Sequence, residues 1–390
     1  MTRLRILIGA DTYPPDVNGA ARFAERLATG LAGRGHEVHV VAPSPAGPAG
    51  VQEQGGVTVH RLRSHRWPGH PTFRICLPWQ AAPATADVLR AVDPDVVHVQ
   101  AHFVVGRGLA VAAEQTRRPL VATNHFMPEN LFGHAGVPGA LRSVAARCAW
   151  WDLARVYRRA EVVTAPTPRA VELLASSARI PGALAVSCGI DAARYGGGAE
   201  DPVPAVLFVG RLDPEKRVDE LLRAFALLPS GTPARLEIVG DGSCRAEWEA
   251  LAGRLGVGDR VVFHGFVDED ALVTAYRRCA VFCMPGVAEL QSLVTLEAMS
   301  AAKPVVAADA MALPHLVRPG RNGWLYPPGE VGALAAALGG LLADPGLRRR
   351  MGAASRELVA RHDLAATLDA FEDVYARLSR RVPEPAARAA

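Results

Sequence analysis

Two carboxylates, two cations and one histidine carry most of the chemistry this sequence can offer. Glu289 and Glu297 stand eight positions apart in Glu289-Leu-Gln-Ser-Leu-Val-Thr-Leu-Glu297, after the apolar run Val281-Phe-Cys-Met-Pro285. Glu289 is predicted in a loop and Glu297 inside the following helix, with Ser292 as its cap. Such a pair can bind hydroxyls on two parts of one ligand, or can be two unrelated acids. Leu293, Leu296, Ala298 and Met299 are apolar, so Glu297 is expected to have a buried partner.

The cations sit in Gly210-Arg-Leu-Asp-Pro-Glu-Lys-Arg217, between a strand pattern and a helix pattern. Arg211 and Lys216 beside a helix N-terminus can clamp a diphosphate, because the dipole and the side chains act with the same sign. The same spacing also fits a solvated charged turn. Gly265-Phe266 follows another strand pattern, and Gly265 removes a side chain where a flat base could approach. His125 directly follows Pro119-Leu-Val-Ala-Thr-Asn124, at the strand end where ligands of α/β sheets bind. A loop histidine with a backbone partner is the alternative. His98, inside a strand pattern, reads as a satisfied core residue, and His102 is undecided.

Several chemistries are excluded. The loop Ala10–Gly19 is too long for a dinucleotide turn and lacks its acidic ribose partner, although Asn18-Gly19 before a helix can still present N–H groups to a phosphate. No Walker loop, nucleophile elbow or zinc spacing is present, and no metal site is expected. The six cysteines include no CxxC pair and read as free thiols.

The elements that must position these residues alternate along the chain. Near-continuous apolar runs, such as Leu4–Ile8, Asp95–Gln100, Leu120–Thr123, Ala205–Val209, Arg235–Val239 and Ala280–Met284, alternate with helical patterns. That grammar predicts parallel sheets buried on both faces. With 390 residues, 49% hydrophobic and 21% charged, the chain is globular and long enough for two cores. The predicted organisation is a domain over 1–194, a Gly/Pro-rich linker over 195–204, a second domain over 205–363, and a final helix and tail over 364–390. The formal charge of +4 does not point to nucleic acid. The N-terminus lacks signal-peptide character, and the longest uncharged runs fall short of the roughly 20 residues a spanning helix needs. A cytoplasmic protein is expected.

Taken together, these segments resemble the retaining family 4 glycosyltransferases of GT-B fold: α/β, with two doubly wound Rossmann-like domains facing across a cleft. The matching stretches are the first loop through Gly19, Gly210-Arg-Leu-x-x-Glu-Lys216, Val239-Gly-Asp-Gly242, Glu289-x7-Glu297, Pro304-Val-Val-Ala307 and Asn322-Gly-Trp-Leu325, in the family's order. The resemblance implies that Arg211 and Lys216 hold the donor diphosphate, Glu297 the ribose hydroxyls and Glu289 the donor sugar. Asn18, Gly19, Gly210, Gly265, Phe266 and the groups around Leu290, Gln291, Ser292 and Leu293 would complete the donor pocket, with His125 beneath the sugar ring. It implies a last helix, near Leu364–Ser379, crossing back to the first domain and packing through Phe371 and Tyr375. Donor binding would close the cleft about this helix and the linker.

Two departures bear on the pocket. Many members have paired glycines where this chain has Asn18-Gly19, and Gly-Phe-Gly where it has Leu290-Gln291-Ser292. Donor identity is therefore left open. The stretch Ala288-Glu-Leu-Gln-Ser292 is nearer to lipid and small-molecule members than to starch or sucrose enzymes. The implied reaction moves a hexosyl group from a nucleotide diphosphate sugar, UDP- ranked ahead of GDP-, to a hydroxyl of a small molecule or glycolipid precursor. The configuration is retained and neither a metal nor another cofactor is required. The alternatives are a nucleotide-sugar-binding protein without transferase activity and a GT-B epimerase. A basic amphipathic pattern over Leu141–Arg159 raises peripheral membrane contact. Its apolar arc is Ala146, Ala149, Trp150, Leu153, Val156 and Tyr157, and Arg147, Arg155, Arg158 and Arg159 lie opposite. Arg61-Leu-Arg-Ser-His-Arg-Trp67 adds further cations and an aromatic in the same domain. Packing on the sheet with a solvated back face is the other reading of the helix.

Overall fold

A computed structural model of the chain describes residues 3–16, 18–67, 74–128 and 139–380; the expected tail over 381–390 lies outside the described residues. The chain divides into two compact units. One holds the residues up to Cys188 and those from Ala365 onward, and the other spans Gly189–Leu364.

The first unit is built on β1 (Arg5–Gly9), β2 (Glu37–Pro43), β3 (Gly50–Gln54), β4 (Val57–Leu62), β7 (Val96–Val99), β8 (Leu120–Thr123), β9 (Val162–Ala165) and β10 (Leu184–Ala185), with a small hairpin of β5 (His65–Arg66) and β6 (Arg74–Ile75) beside it. The sheet order is β10-β9-β8-β7-β1-β2-β4-β3, parallel except for the edge pair β3–β4. Ile6, Leu7 and Ile8 are fully buried, and Leu7 lies between His39 of β2 and Val97 of β7. A central parallel strand is covered on both faces, which is why it reads as an unbroken apolar run. The helix Gly19–Gly33 buries Phe23, Ala24, Leu27, Ala28 and Leu31 at helical spacing.

The helix Leu364–Ser379 completes this unit. Phe371 and Tyr375 are buried, Phe371 packing 6.0 Å from Phe23 and 5.1 Å from His98 between ring centroids. Buried Glu372 accepts from His36 Nε2 at 2.8 Å and pairs with Arg34. Leu368 packs so close to Gly30 that a Cβ there would meet its Cδ1 at 2.7 Å.

The second unit is a wholly parallel sheet of β11 (Ala205–Val209), β12 (Arg235–Val239), β13 (Val261–Gly265), β14 (Val281–Met284), β15 (Val305–Ala308) and β16 (Gly323–Tyr326), in the order β13-β12-β11-β14-β15-β16. The expected linker, Tyr195–Pro204, lies along this unit. Tyr195 is buried against Tyr276, Glu200 pairs with Arg348, and Asp201 N–H donates to Arg278 O. Gly198 reflects tight geometry rather than looseness: it has φ +94°, and a Cβ there would lie 2.9 Å from Arg277 Cβ.

Candidate functional site

In the second unit, β11 has β12 on one side and β14 on the other, so the strand order reverses at β11. The loops leaving the carboxyl ends of β11 and β14 lie at this reversal, the position at which parallel α/β sheets generally bind ligands. Lys216 comes from the first loop and Glu289 from the second, and they meet with Lys216 Nζ 2.5 Å from Glu289 Oε1. A main-chain bond from Val287 N–H to Glu215 O, 3.0 Å, stitches the two loops together. Gly286 lies against the pair: a Cβ there would touch both Lys216 Cδ and Glu289 Oε1 at 3.4 Å.

Arg211 is not a loose surface cation. Its guanidinium pairs with buried Asp213 and with Glu215, each at 2.8 Å, and Asp213 also accepts from Ser243 Oγ at 2.8 Å. The turns below are packed backbone on backbone. A Cβ at Gly240 (φ +127°) would lie 2.0 Å from Gly210 O, and one at Gly242 would lie 2.6 Å from Leu212 N. The strand-to-helix passage is a short 3-10 turn, Pro214–Lys216, followed by Arg217 at φ +49° and the helix Val218–Ala226.

Glu297 lies inside the helix Leu293–Ser300 and is buried, and Tyr276 Oη donates to its Oε2 at 2.9 Å. That is the kind of partner its apolar surroundings call for. Ser292 occupies the N-cap position but makes no side-chain cap bond; Thr295 Oγ1 donates to Ser292 Oγ at 2.9 Å instead. The expected cap is therefore a position without its usual bond, because a nearer hydroxyl engages the serine. The side chains of Leu290, Gln291, Ser292 and Leu293 are all buried, and Gln291 Nε2 meets His362 Nδ1 at 3.3 Å. What this turn can offer a ligand is main-chain N–H. Gly265 adopts φ +70°, and the side its missing Cβ would fill is occupied by Arg245 Nη1, 3.0 Å away. Phe266 beside it is exposed.

In the first unit the order reverses at β1, between β2 and β7. Asn18 caps the helix Gly19–Gly33, its side chain accepting from Ala21 N–H at 2.9 Å, so Gly19 opens that helix. Asp11 caps a different helix, Val104–Thr116, accepting from Val105 N–H at 2.8 Å and Gly106 N–H at 3.2 Å. Burial raises the Asp11 carboxyl to about 6 despite these bonds. Gly106 is required there, since a Cβ would fall 1.8 Å from Ala101 O.

His125 follows β8 with its ring 4.8 Å from that of Phe23, and its Nε2 lies 3.0 Å from Gln100 Oε1. Its partner is thus a side chain. Burial pulls its pKa down to about 4, so it is neutral at physiological pH. His98 is a satisfied core residue, between Tyr375 Oη and Thr123 Oγ1 at 2.6 Å each. His102 is buried among Phe103, Phe126 and Tyr157, and its Nδ1 has no hydrogen-bond partner among the described residues. Sequence reasoning singled out neither Asp11, Gln100 nor Tyr276, because each acts through partners distant in the chain.

The helix Arg142–Tyr157 buries Trp150, Leu153, Val156 and Tyr157 on the sheet. It also carries an exposed apolar stripe that the sequence reading did not anticipate: Leu141 (56% exposed), Val144 (53%), Cys148 and Trp151 (60%). Arg155 lies over the Trp151 ring at 4.8 Å. Arg61 does not join this basic surface. It is buried, donates to Pro14 O and Pro43 O, and lies over Tyr13. Among the described residues no group of three or more His, Cys, Asp or Glu side chains is placed to hold a metal, and no helix is long and apolar enough to cross a membrane.

Two Rossmann-like units, each with a strand-order reversal in its parallel sheet, give the chain the GT-B fold. The model for Glycosyltransferase Family 4 matches residues 17–194, and that for Glycosyl transferases group 1 matches residues 191–358. The chain is 34% identical over 395 residues to a GDP-mannose-dependent alpha-mannosyltransferase of Mycolicibacterium smegmatis, covering 97% of this chain and 100% of the relative. It is 32% identical to a D-inositol 3-phosphate glycosyltransferase of Xylanimonas cellulosilytica, covering 94% of each. Its fold matches sucrose-phosphate synthase of Thermosynechococcus elongatus with a TM-score of 0.81 at 22% identity, covering 97% of this chain and 100% of that one. The chain belongs to glycosyltransferase family 4.

Proposed function

We propose that this glycosyltransferase moves a hexosyl group from a nucleoside diphosphate sugar to an acceptor hydroxyl with retention of configuration. The observation that carries the reading is the Lys216–Glu289 pair at the strand-order reversal, beside Arg211 held by Asp213 and Glu215. Lys216 and Arg211 neutralise the diphosphate as it leaves, which is the main electrostatic demand of the reaction. Glu289 takes sugar hydroxyls, Glu297 the ribose, and the N–H groups of the Leu290–Leu293 turn add donors without a metal. Phe266 and the backbone at Gly265 lie with the base. In the first unit, Asn18-Gly19 and His125 act on the diphosphate and the sugar. The acceptor proton passes to an oxygen of the departing diphosphate, so no protein nucleophile is needed.

GDP-mannose is the donor to test first. Two relatives, at 34% and 33% identity, are named GDP-mannose-dependent mannosyltransferases, which supports trying GDP- ahead of the UDP-sugar ranked first from sequence. The neighbour solved with UDP and glucose is only 20% identical and speaks to fold alone. The test incubates the protein with GDP-mannose or UDP-glucose, with and without inositol phosphate and phosphoinositide vesicles. Sugar appearing in an acceptor supports transfer. Nucleotide binding without transfer from any donor leaves a binding protein.

The acceptor reading rests on the stripe Leu141, Val144, Cys148 and Trp151 interleaved with Arg147, Arg155, Arg158 and Arg159. Exposed apolar side chains flanked by arginines suit an anionic lipid surface. A lipid-borne acceptor is therefore favoured over a free metabolite.

A further inference from the structure

The carboxyl ends of β7 and β8 carry a buried hydrogen-bonded run of which the proposed function uses only His125. Gln100 stands in its middle, with Oε1 3.0 Å from His125 Nε2 and Nε2 3.3 Å from His98 Nε2. His98 Nδ1 in turn lies 2.6 Å from Tyr375 Oη on the last helix, and Thr123 Oγ1 lies 2.6 Å from both His98 Nε2 and Thr164 Oγ1. Gln100, His98 and Tyr375 are buried.

We propose that Gln100 is a positioning residue that fixes which ring nitrogen of His125 carries the proton. An amide oxygen only accepts and an amide nitrogen only donates. Gln100 Oε1, 3.0 Å from His125 Nε2, can therefore only accept from that ring. His125 must donate from Nε2, which leaves its Nδ1 lone pair as an acceptor. His98 holds Gln100 from the other side and is itself held by Thr123 Oγ1 and Tyr375 Oη at 2.6 Å each. Burial keeps both rings neutral, so each has a tautomer to set. A hydroxyl of the donor sugar would then meet an acceptor on His125 rather than a second donor. This deepens the assignment of His125 to the sugar and rests on it.

The test uses the full chain with 15N-labelled histidine, His125 being assigned by difference from His125→Ala. The expected spectrum shows His125 protonated at Nε2 in the wild type and a mixture of tautomers in Gln100→Leu. Gln100→Met serves if the leucine variant does not fold. Loss of one oriented hydrogen bond predicts a fall in kcat of about tenfold with little change in donor KM. The double variant with His125→Ala should be no slower than His125→Ala alone. A wild-type His125 protonated at Nδ1, a spectrum unchanged by either substitution, or additive losses would overturn the proposal. If His125→Ala transfers sugar at the wild-type rate, the sugar assignment of His125 falls, and the nitrogen spectrum still decides the role of Gln100.

Discussion

The Lys216 ammonium lies 2.5 Å from the Glu289 carboxylate, and the two residues extend from the ends of neighbouring strands β11 and β14. The cation assigned to the diphosphate is thus already neutralised before any ligand arrives, and a diphosphate must draw it partly away from Glu289. Lys216→Ala should weaken nucleoside diphosphate binding by roughly ten- to a hundredfold, the worth of a charge-assisted contact. Glu289→Ala should leave that binding intact or tighter, since it frees the ammonium, while transfer falls. Calorimetry with GDP and UDP checks both; equal weakening in the two variants would refute the division of roles.

Glu297 offers a second test. Tyr276→Phe removes one donor from a buried carboxylate, a loss of about 1–3 kcal/mol in stability or nucleotide affinity. Glu297→Gln should bind free nucleotide poorly. Wild-type affinity in Glu297→Gln would remove this residue from the ribose.

The buried histidines set an acid limit. Burial holds His98 near 3 and His102, His125 and His362 near 4, below their ordinary 6.5. Each therefore contributes stability that is fully present above pH 6.5 and is lost as pH falls toward 4. Urea midpoints should drop over that window. His102→Phe should flatten the drop and raise the midpoint at pH 5, because it removes a buried ring nitrogen without a partner from an aromatic cluster. A wild-type midpoint constant from pH 7 to 4 would contradict this.

The exposed stripe predicts co-sedimentation with anionic vesicles at low salt and not with neutral ones. Trp151→Ser should weaken it, and Arg155→Glu with Arg158→Glu should abolish it, because reversing both charges replaces attraction with repulsion. No binding by the wild type at low salt would leave a free metabolite as the better acceptor.

Much of this architecture is legible in the sequence wherever burial on both faces writes an unbroken apolar run. The expected bounds of β8, β11 and β12 match those observed. Edge strands write no such run: β3 is largely exposed, and β16 includes exposed Trp324. The helix Pro78–Val92 writes a weaker local signal, because it opens at Pro78 and carries Pro83 inside it. At the candidate site, Glu289, Glu297, Arg211 and Lys216 are visible as charges at fixed spacing. Gln100 is not, because its significance comes from His125, 25 positions on, and from a histidine held by Tyr375, 277 positions from it. Such contacts have no local pattern.

The last helix bears on the order in which the molecule can form. The chain leaves the first unit at Cys188 and returns at Ala365, so the second unit is an insertion within the first. Its two junctions are tied side by side, with Ile190 N–H donating to His362 O at 2.8 Å and Leu364 N–H to Ile190 O at 3.2 Å. Phe371, Tyr375 and Glu372, which complete the core of the first unit, are synthesised after every residue of the second. The unit begun first must therefore wait, with Phe23 and His98 uncovered, while the unit begun second can close. Folding on the ribosome runs against the order of synthesis, and a nascent chain stopped before residue 365 should expose that unfinished core to chaperones.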